Sequence, residues 1–519
     1  MAKKISSEVP LISVAQTFLP AFLLPNDFAD RNVCATNARR VFTNFYEISK
    51  SIVASRGTMF FFVSVYLCGF AAYSLLPPDR TTSTIPFLWI HSIHALCGVM
   101  CVMILQKNYS GVPATWFFLV IFLVSRLLVS PMMPWLSDDA LRYLWDGHAL
   151  LNGINPYIVA PNAMEAASLR ALQPELYELL DYTTVTSIYP PLAEYVFAGS
   201  VWLGRLINTG AWQTGYFVWK SVLIASEGVG LLLLYKALGR MDASGSINAT
   251  YLPFLIYCFL PLPVIELAGQ AHVDGLLCLP LGAICFMLAK AKIGTAYKPH
   301  YGLILGICIT ALGGIKILPA IVLLPILRHV APKPQAVRNI ALILVSCVGV
   351  LLLLVFPLLS DITVILHFAA IARNNALYWQ FNGAPYYALC YVCAGLYLPA
   401  YWLWMPFAFS YLRSGIVLLA AMMPKARNGA IFGAMLIALS AVLLFSPKVH
   451  TWYFVALLFV NILVGWKWLP IFASASVLSY AYYAVQPARE QYWVEMCVWG
   501  ASVLVAASEW HRKPIKTEL

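Results

Sequence analysis

The chain has 519 residues, 61% of them hydrophobic and 11% charged, with a formal net charge of +11 and a mean hydropathy of +0.78. Soluble domains carry about a quarter charged residues, so this composition excludes a water-soluble globular protein and points to a polytopic membrane protein. The positive excess matches Lys and Arg gathered on cytoplasmic loops and gives no reason to invoke nucleic acid.

A polar leader, residues 1–57, carries Lys3, Lys4, Arg31, Arg39, Arg40, Lys50 and Arg56 ahead of the first apolar span. It does not read as a cleavable signal peptide and is expected to stay in the cytoplasm. Residues 58–519 read as one transmembrane domain. A hydrocarbon layer of roughly 30 Å asks for about twenty apolar residues per helix, and the apolar runs predict an all-α fold of about 12–14 transmembrane helices. The twelve cysteines sit mostly in those runs, Cys97, Cys101, Cys390 and Cys393 included, and read as buried thiols.

Between the span ending at Ser130 and the one starting at Leu192 lies a first large outer loop, about residues 133–190. Its stretch Asp138 to Asp181 is acid-rich, with Arg142 and Arg170 its only basic residues. The leader, Arg328 with Lys333 and Arg338, Lys425 with Arg427, and the basic tail belong inside by the positive-inside rule. Simple alternation then puts Lys236, Arg240, Lys290, Lys292 and Lys298 outside. Either one neighbouring apolar run fails to cross, or these charges break the rule. If those basic loops are inside, the turn Glu266 to Asp274 joins the acidic loop outside.

Asp139, Arg142, Tyr143 and Asp146 recur at helical spacing, which predicts a surface helix ended by Gly147, Gly153 and Asn155-Pro156. A second amphipathic stretch, Ala163 to Leu180, is expected to turn Leu169, Leu172, Leu176 and Leu180 to the bilayer. Asp138 and Asp139 point about a hundred degrees apart on a helix and are expected to do different work. Helix capping is the plain alternative for Asp138, and for Asp146 a salt bridge to Arg142 accounts for it as well as acceptor binding does.

Lys316 falls inside a long apolar run broken by Gly313, Gly314 and Pro319. An intramembrane lysine is a functional candidate, with snorkelling to the interface as its plain alternative. A second outer loop, about residues 360–386, carries His367, Arg373, Asn374, Asn375, Trp379 and Gln380 and reads as able to close over a ligand. Arg373, His367, Lys448 and His450 are the cations expected on the outer side to meet a developing negative charge. Glu266, His272 and Asp274, with the Asp-rich helix, offer oxygen ligands to sugar hydroxyls or to a divalent cation; no cofactor is otherwise indicated.

The spacing Asp139-x-x-Arg142-Tyr143-x-x-x-Gly147, followed by Gly153-x-Asn155-Pro-Tyr157 and Ile188-Tyr-Pro-Pro-Leu192, resembles the GT-C superfamily of integral-membrane glycosyltransferases. Within it the likeness is to polyprenyl-phosphomannose-dependent mannosyltransferases of actinobacterial lipoglycans and to the first mannosyltransferase of GPI-anchor assembly. Glu266 to Asp274, Gly313-Gly-Ile-Lys316-Ile-Leu-Pro319, Phe381-Asn-Gly-Ala-Pro-Tyr-Tyr387 and Ser446-Pro-Lys-Val-His450-Thr-Trp-Tyr453 follow in a similar order, so the resemblance runs from about Ala114 to the end. It implies an inverting sugar transfer, of mannose first of all, from a polyprenyl-phosphate donor to a hydroxyl of a glycolipid or glycan acceptor. The site is implied at the outer face of a bacterial plasma membrane, with Asp139 as general base and Asp138 its competitor. Arg142, Asp146, Glu266, His272, Asp274, Lys316, Arg373 and His450 are then expected to bind substrate. A proton-coupled transporter is the alternative from another class, since many spans with ionisable residues at membrane depth also describe a carrier.

Overall fold

The computed structural model describes residues 56–77, 79–108, 115–208, 211–241, 251–290, 299–332, 335–359, 362–422, 430–485 and 488–511. The expected leader therefore lies outside the described residues up to Ser55, as do Lys333, Lys425, Arg427 and the basic tail. Chain contacts divide at Met59, and everything below concerns the unit Phe60–Leu519.

The fold is all-helical. Among the described residues one isolated bridge, Phe381 with Lys448, is the sole β pairing. Five helices are long and apolar enough to cross a membrane: Gly57–Ser74, Arg80–Gln106, Trp212–Met241, Ala336–Leu358 and Tyr401–Leu419. A sixth crossing results if Leu252–Cys258 and Pro261–Gly269, bent by 45°, count as one. Six shorter apolar helices, Phe117–Val129, Val273–Ala289, Pro299–Ile315, Leu318–Val330, Ile431–Leu444 and Thr451–Asn461, accompany them. The chain is thus an integral membrane protein by the length and apolarity of these helices.

Helix Pro191–Ile207 starts where Pro190-Pro191 fixes the backbone and Pro occupies the first helical position. It belongs to neither group of apolar helices and instead lies beside the acid-led helix Asp139–Leu151. Tyr143 stacks on Phe197 at 4.6 Å and Arg205 reaches His148, so the two helices run parallel. Gly147 permits this approach, because a Cβ there would stand 2.7 Å from the Phe197 carbonyl oxygen. The helix Asp139–Leu151 is consequently buried on nearly all its faces, with Ala140, Leu141 and every residue from Tyr143 to Ala149 enclosed, rather than laid out on a surface. The stretch after it also departs from expectation. Leu169, Leu176 and Leu180 are buried and only Leu172 is exposed, because these short helices close over the acid-led helix, with Trp145 against Tyr177 at 5.5 Å.

The helix Trp212–Met241 returns antiparallel and anchors two loops at once. Tyr216 OH donates to the Gly269 carbonyl at 3.2 Å, Trp219 Nε1 to Ala271 at 2.9 Å, and Lys220 Nζ to the carbonyls of Ser130 (2.8 Å) and Met132. Gln270 Oε1 accepts from the Leu136 amide at 2.9 Å. The connections leading to Asp138 and to His272 are thereby tied together.

Deeper in the same helix, Glu227 is 0% exposed and pairs with Arg126, 1% exposed, through Nε at 3.1 Å and Nη2 at 2.5 Å. Tyr257 OH donates to Glu227 Oε1 at 2.9 Å. Removing one partner of a buried pair strands the other charge, which costs about 3–5 kcal/mol, whereas an apolar replacement of both is close to neutral. Arg126→Met should therefore strongly lower the thermal midpoint in detergent, and Arg126→Met with Glu227→Met should restore most of it; equal losses in single and double variants would show that the pair does not carry this stability.

Candidate functional site

The site is built around the start of helix Asp139–Leu151. Asp138 occupies the N-cap position without a side-chain cap bond; its Oδ2 instead accepts the Asp181 amide at 3.1 Å. Asp181 is held by Arg80 at 2.8 Å, and Arg80 Nε donates to the Trp135 carbonyl at 2.7 Å. Burial, and then the negative charges of Asp139 and Asp181, push the Asp138 carboxyl up to about 6 against the opposing pull of the Asp181 amide and Arg80. Asp139 does different work. It is half-buried, its amide donates to Ser137 Oγ at 3.2 Å, and among the described residues no hydrogen bond or ion pair engages its carboxylate. Lys316, Lys448 and Asp274 all lie within the electrostatic reach of Asp139, as do the phenols of Tyr143, Tyr189, Tyr453 and Tyr483.

Lys316 stands where helix Pro299–Ile315 ends ahead of Pro319. Its Nζ holds both oxygens of Asp274, at 2.9 and 2.8 Å, and lies 3.7 Å from the centre of the Tyr453 ring. Asp274 is 2% exposed and the Lys316 side chain 25% exposed.

Lys448 arrives on a strap. The Phe381 amide donates to the Pro447 carbonyl at 3.1 Å and the Val449 amide to the Phe381 carbonyl at 2.7 Å. Asn382 turns the chain at a φ of 51°, with its amide on Glu490 at 3.1 Å and its Oδ1 accepting from Trp499 Nε1 at 3.0 Å. Gly383 leaves room for the strap, since a Cβ there would sit 2.4 Å from the Pro447 carbonyl oxygen. The Phe381-Asn-Gly motif thus acts on the backbone of Pro447 to Val449. Lys448 Nζ donates to Asn375 Oδ1 at 2.5 Å, and burial draws the ammonium down to about 8 despite the attraction of Asp139.

The turn Glu266 to Asp274 is a brace beneath these groups. It leaves a π-helical turn, Val264–Gly269, and passes Ala271 at a φ of 61°. Glu266 Oε1 accepts from Thr451 Oγ1 at 2.6 Å and Tyr480 OH at 3.0 Å, while Oε2 lies 3.0 Å from His272 Nδ1. His272, Trp452, His450 and Phe381 stack in one column with successive ring separations of 3.8, 4.2 and 4.6 Å. Glu266 and His272 are sealed, and His450 is a middle ring of the column.

Arg142 and Asp146 form an ion pair of 2.8 Å, and Arg142 Nη1 donates to the Val185 carbonyl at 2.7 Å, pinning the loop that precedes Ser187. Asp146 is 1% exposed. Burial raises its carboxyl against the pull of Arg142. The helix Ile362–Tyr378 docks on the Asn155-Pro-Tyr157 turn: His367 Nδ1 lies 2.7 Å from the Tyr157 carbonyl, and the preceding Leu358 carbonyl accepts from Asn155 Nδ2 at 2.9 Å. Its end brings Trp379 edge-on to Tyr182 at 5.3 Å. Arg373 on this helix is exposed, and among the described residues no hydrogen bond or ion pair joins it to the Asp139 group.

Of the residues singled out from sequence, then, Asp138, Asp139, Asp274 and Lys316 come together with Lys448. Glu266, His272 and His450 lie in the supporting layer, Arg142 and Asp146 hold the loop behind, and Arg373 stands apart. Sequence reasoning missed Arg80 and Tyr480 and gave Asp181 and Tyr453 no role of their own, because their partners are remote in the chain. Among the described residues no group of three or more His, Cys, Asp and Glu side chains is placed to hold a metal ion. Comparison with family models, curated proteins and solved structures finds no match.

Asp138 supplies a test by linkage. Its folded value stands above that of an unfolded aspartate, so the folded chain binds the extra proton between about 4 and 6, and stability falls as pH rises through that window. Asp138→Asn keeps an acceptor for the Asp181 amide and removes the charge. The melting temperature of Asp138→Asn relative to the unmutated protein should climb between pH 4.5 and 7.5 in detergent; a flat difference would contradict the assigned cause.

Proposed function

We propose that this chain is a GT-C-like glycosyltransferase that moves a sugar, mannose first of all, from a polyprenyl-phosphate donor to an acceptor hydroxyl of a glycolipid or glycan. The observation that carries the reading is the unpaired Asp139 carboxylate set among two lysines, Lys316 and Lys448, delivered by separate segments. Asp139 takes the acceptor proton as the new bond forms at the anomeric carbon. The bond from that carbon to the lipid phosphate breaks with its electron pair on the phosphate oxygen, and the two ammonium groups stand where that charge develops.

The reading includes an outer-face site in a bacterial plasma membrane, a total of about 12–14 crossings that counts the shorter apolar helices, and a lipid-facing groove beside the poorly buried helix Ala336–Leu358. In this reading helix Pro191–Ile207, which pairs with the acid-led helix, does not cross, and Trp212–Met241 is the next crossing, which removes the conflict over loop charge. At roughly 1.5 Å per residue this 30-residue helix spans about 45 Å, which sets Lys236 and Arg240 on the face opposite Trp212. The carrier reading has one observation in its favour, the buried Arg126–Glu227 pair; both carboxylate oxygens there are engaged, which leaves no open proton acceptor.

Purified protein incubated with radiolabelled polyprenyl-phosphate sugars and a lipid acceptor tests the reading. Asp139→Asn should lower transfer by about a hundredfold or more, in the range for loss of a general base, with an unchanged melting profile; retained transfer would place the base elsewhere. Lys448 adds a pH signature. Its ammonium loses charge as pH rises through about 8, so transfer should decline over that range, and Lys448→Arg should move the decline upward. An unchanged profile in that variant excludes Lys448 from the charge that donor use requires.

A further inference from the structure

Between helix Asp139–Leu151 and helix Pro191–Ile207 lies a buried group of charges that do not balance. Glu194 is 0% exposed and Asp146 1% exposed, and Arg142 is the cation that faces them both. Arg142 Nε donates to Asp146 Oδ1 at 2.8 Å and Nη1 to the Val185 carbonyl. Its Nη2 is buried without a partner, so the guanidinium makes no bond to Glu194. Ser187 Oγ donates to Glu194 Oε1 and stands by Asp146 as well. Two carboxylates against one guanidinium leave one negative charge in excess, sealed in protein where an uncompensated charge is costly.

The unused atoms point the same way. Asp146 Oδ2 and Glu194 Oε2 are buried and neither has a hydrogen-bond partner. An ionised carboxylate only accepts, so a proton on either residue both removes the excess charge and turns an idle acceptor into a donor. Neighbouring elements bring no further cation. The Tyr157 phenol faces both carboxylates, but its OH is committed to the Tyr189 carbonyl at 2.8 Å. Helices Trp212–Met241, Pro299–Ile315 and Ala336–Val355 also pack on Pro191–Ile207, and among the described residues none of them sets a charged side chain against Glu194. On the same helix, Tyr195 OH donates to the Leu354 carbonyl, and Arg205, about three turns on, meets His148. Burial, and then the charge of Asp146, hold the Glu194 carboxyl well above the usual range against Ser187 and Arg142; burial raises Asp146 too. The proton belongs to the pair.

We propose that Asp146 and Glu194 form a proton-binding site, holding one proton as a pair at neutral pH, and that this proton keeps the acid-led helix docked on helix Pro191–Ile207. Arg142 thereby keeps its hold on the Val185 carbonyl. The site is independent of the sugar-transfer reading and stands or falls without it.

Unfolded aspartate and glutamate titrate at about 4, so the folded chain binds the extra proton above that value and loses stability as pH rises toward the raised value of the pair. Glu194→Gln removes one charge and keeps an oxygen to accept from Ser187. Its melting temperature in detergent, relative to the unmutated protein, should climb between about pH 5 and pH 9, since groups that titrate alike in both proteins cancel. Asp146→Asn, which leaves Glu194 as the carboxylate for Arg142, should show the same climb. Infrared spectra at neutral pH should contain the carbonyl stretch of a buried carboxylic acid that is missing from both variants. A flat temperature difference in both variants overturns the proposal, as does survival of that band in both. Stabilisation of the unmutated protein by sodium chloride over choline chloride, lost in Glu194→Gln, would assign the excess charge to a metal cation and overturn the proton.

Discussion

A charge inside a hydrocarbon-soluble chain persists only where something compensates it, and the architecture follows from how that demand is met at each position. Arg126 has Glu227, Lys316 has Asp274, Arg142 has Asp146, and Lys220, with no carboxylate partner among the described residues, draws on the carbonyls that end helix Thr115–Val129. Each pairing joins segments far apart in the chain, apart from the single-turn pair Arg142 with Asp146. Asp139 departs from this pattern: among the described residues no hydrogen bond or ion pair engages its carboxylate, which lies within the electrostatic reach of Lys316 and Lys448.

The pairing demands interrupted helices. A straight span carries its side chains past the membrane interior without turning any of them into a shared space. Here the helix bearing Leu252–Cys258 bends at Pro261, widens into the π-helical turn that carries Glu266, and breaks again at Ala271 before Asp274. The long run around Lys316 stops at Ile315 and resumes as a 3₁₀ turn at Leu318. These breaks free backbone groups that must find partners; Trp219 and Tyr216 supply donors for two of them. The same residues therefore satisfy the broken backbone and fix where Asp274 and Lys316 meet.

The membrane class of the protein and the existence of the acid-led helix are legible in sequence, because composition and helical spacing act over short distances, whereas its burial is not. The divergence of Asp138 and Asp139 is legible too, since it follows from the helical angle between neighbours. The strap was not legible. Phe381-Asn-Gly and Pro447-Lys-Val look like two unrelated loops until Val449 is seen to pair with Phe381, and no local rule sets that register. The leucines from Leu169 to Leu180 were read as facing lipid for a related reason: an amphipathic period tells which residues share a face, and the neighbour that covers the face lies elsewhere, in this case helix Asp139–Leu151 itself.

Helix Asp139–Leu151 also shows how context reverses a local preference. Its dipole favours a carboxylate in the first turn and a protonated histidine in the last. Asp139 follows that preference. His148 does not, because Arg205 already brings a permanent positive charge to Nδ1 and a second charge on the ring would face it across one hydrogen bond. The outcome is a helix with negative charge at one end and only neutral donors of its own at the other, the positive charge there belonging to the neighbouring helix. Since Gly147 lets the two helices approach at the Phe197 carbonyl, the meeting of His148 with Arg205 at the far end of the acid-led helix is set by backbone packing as well as by side-chain choice.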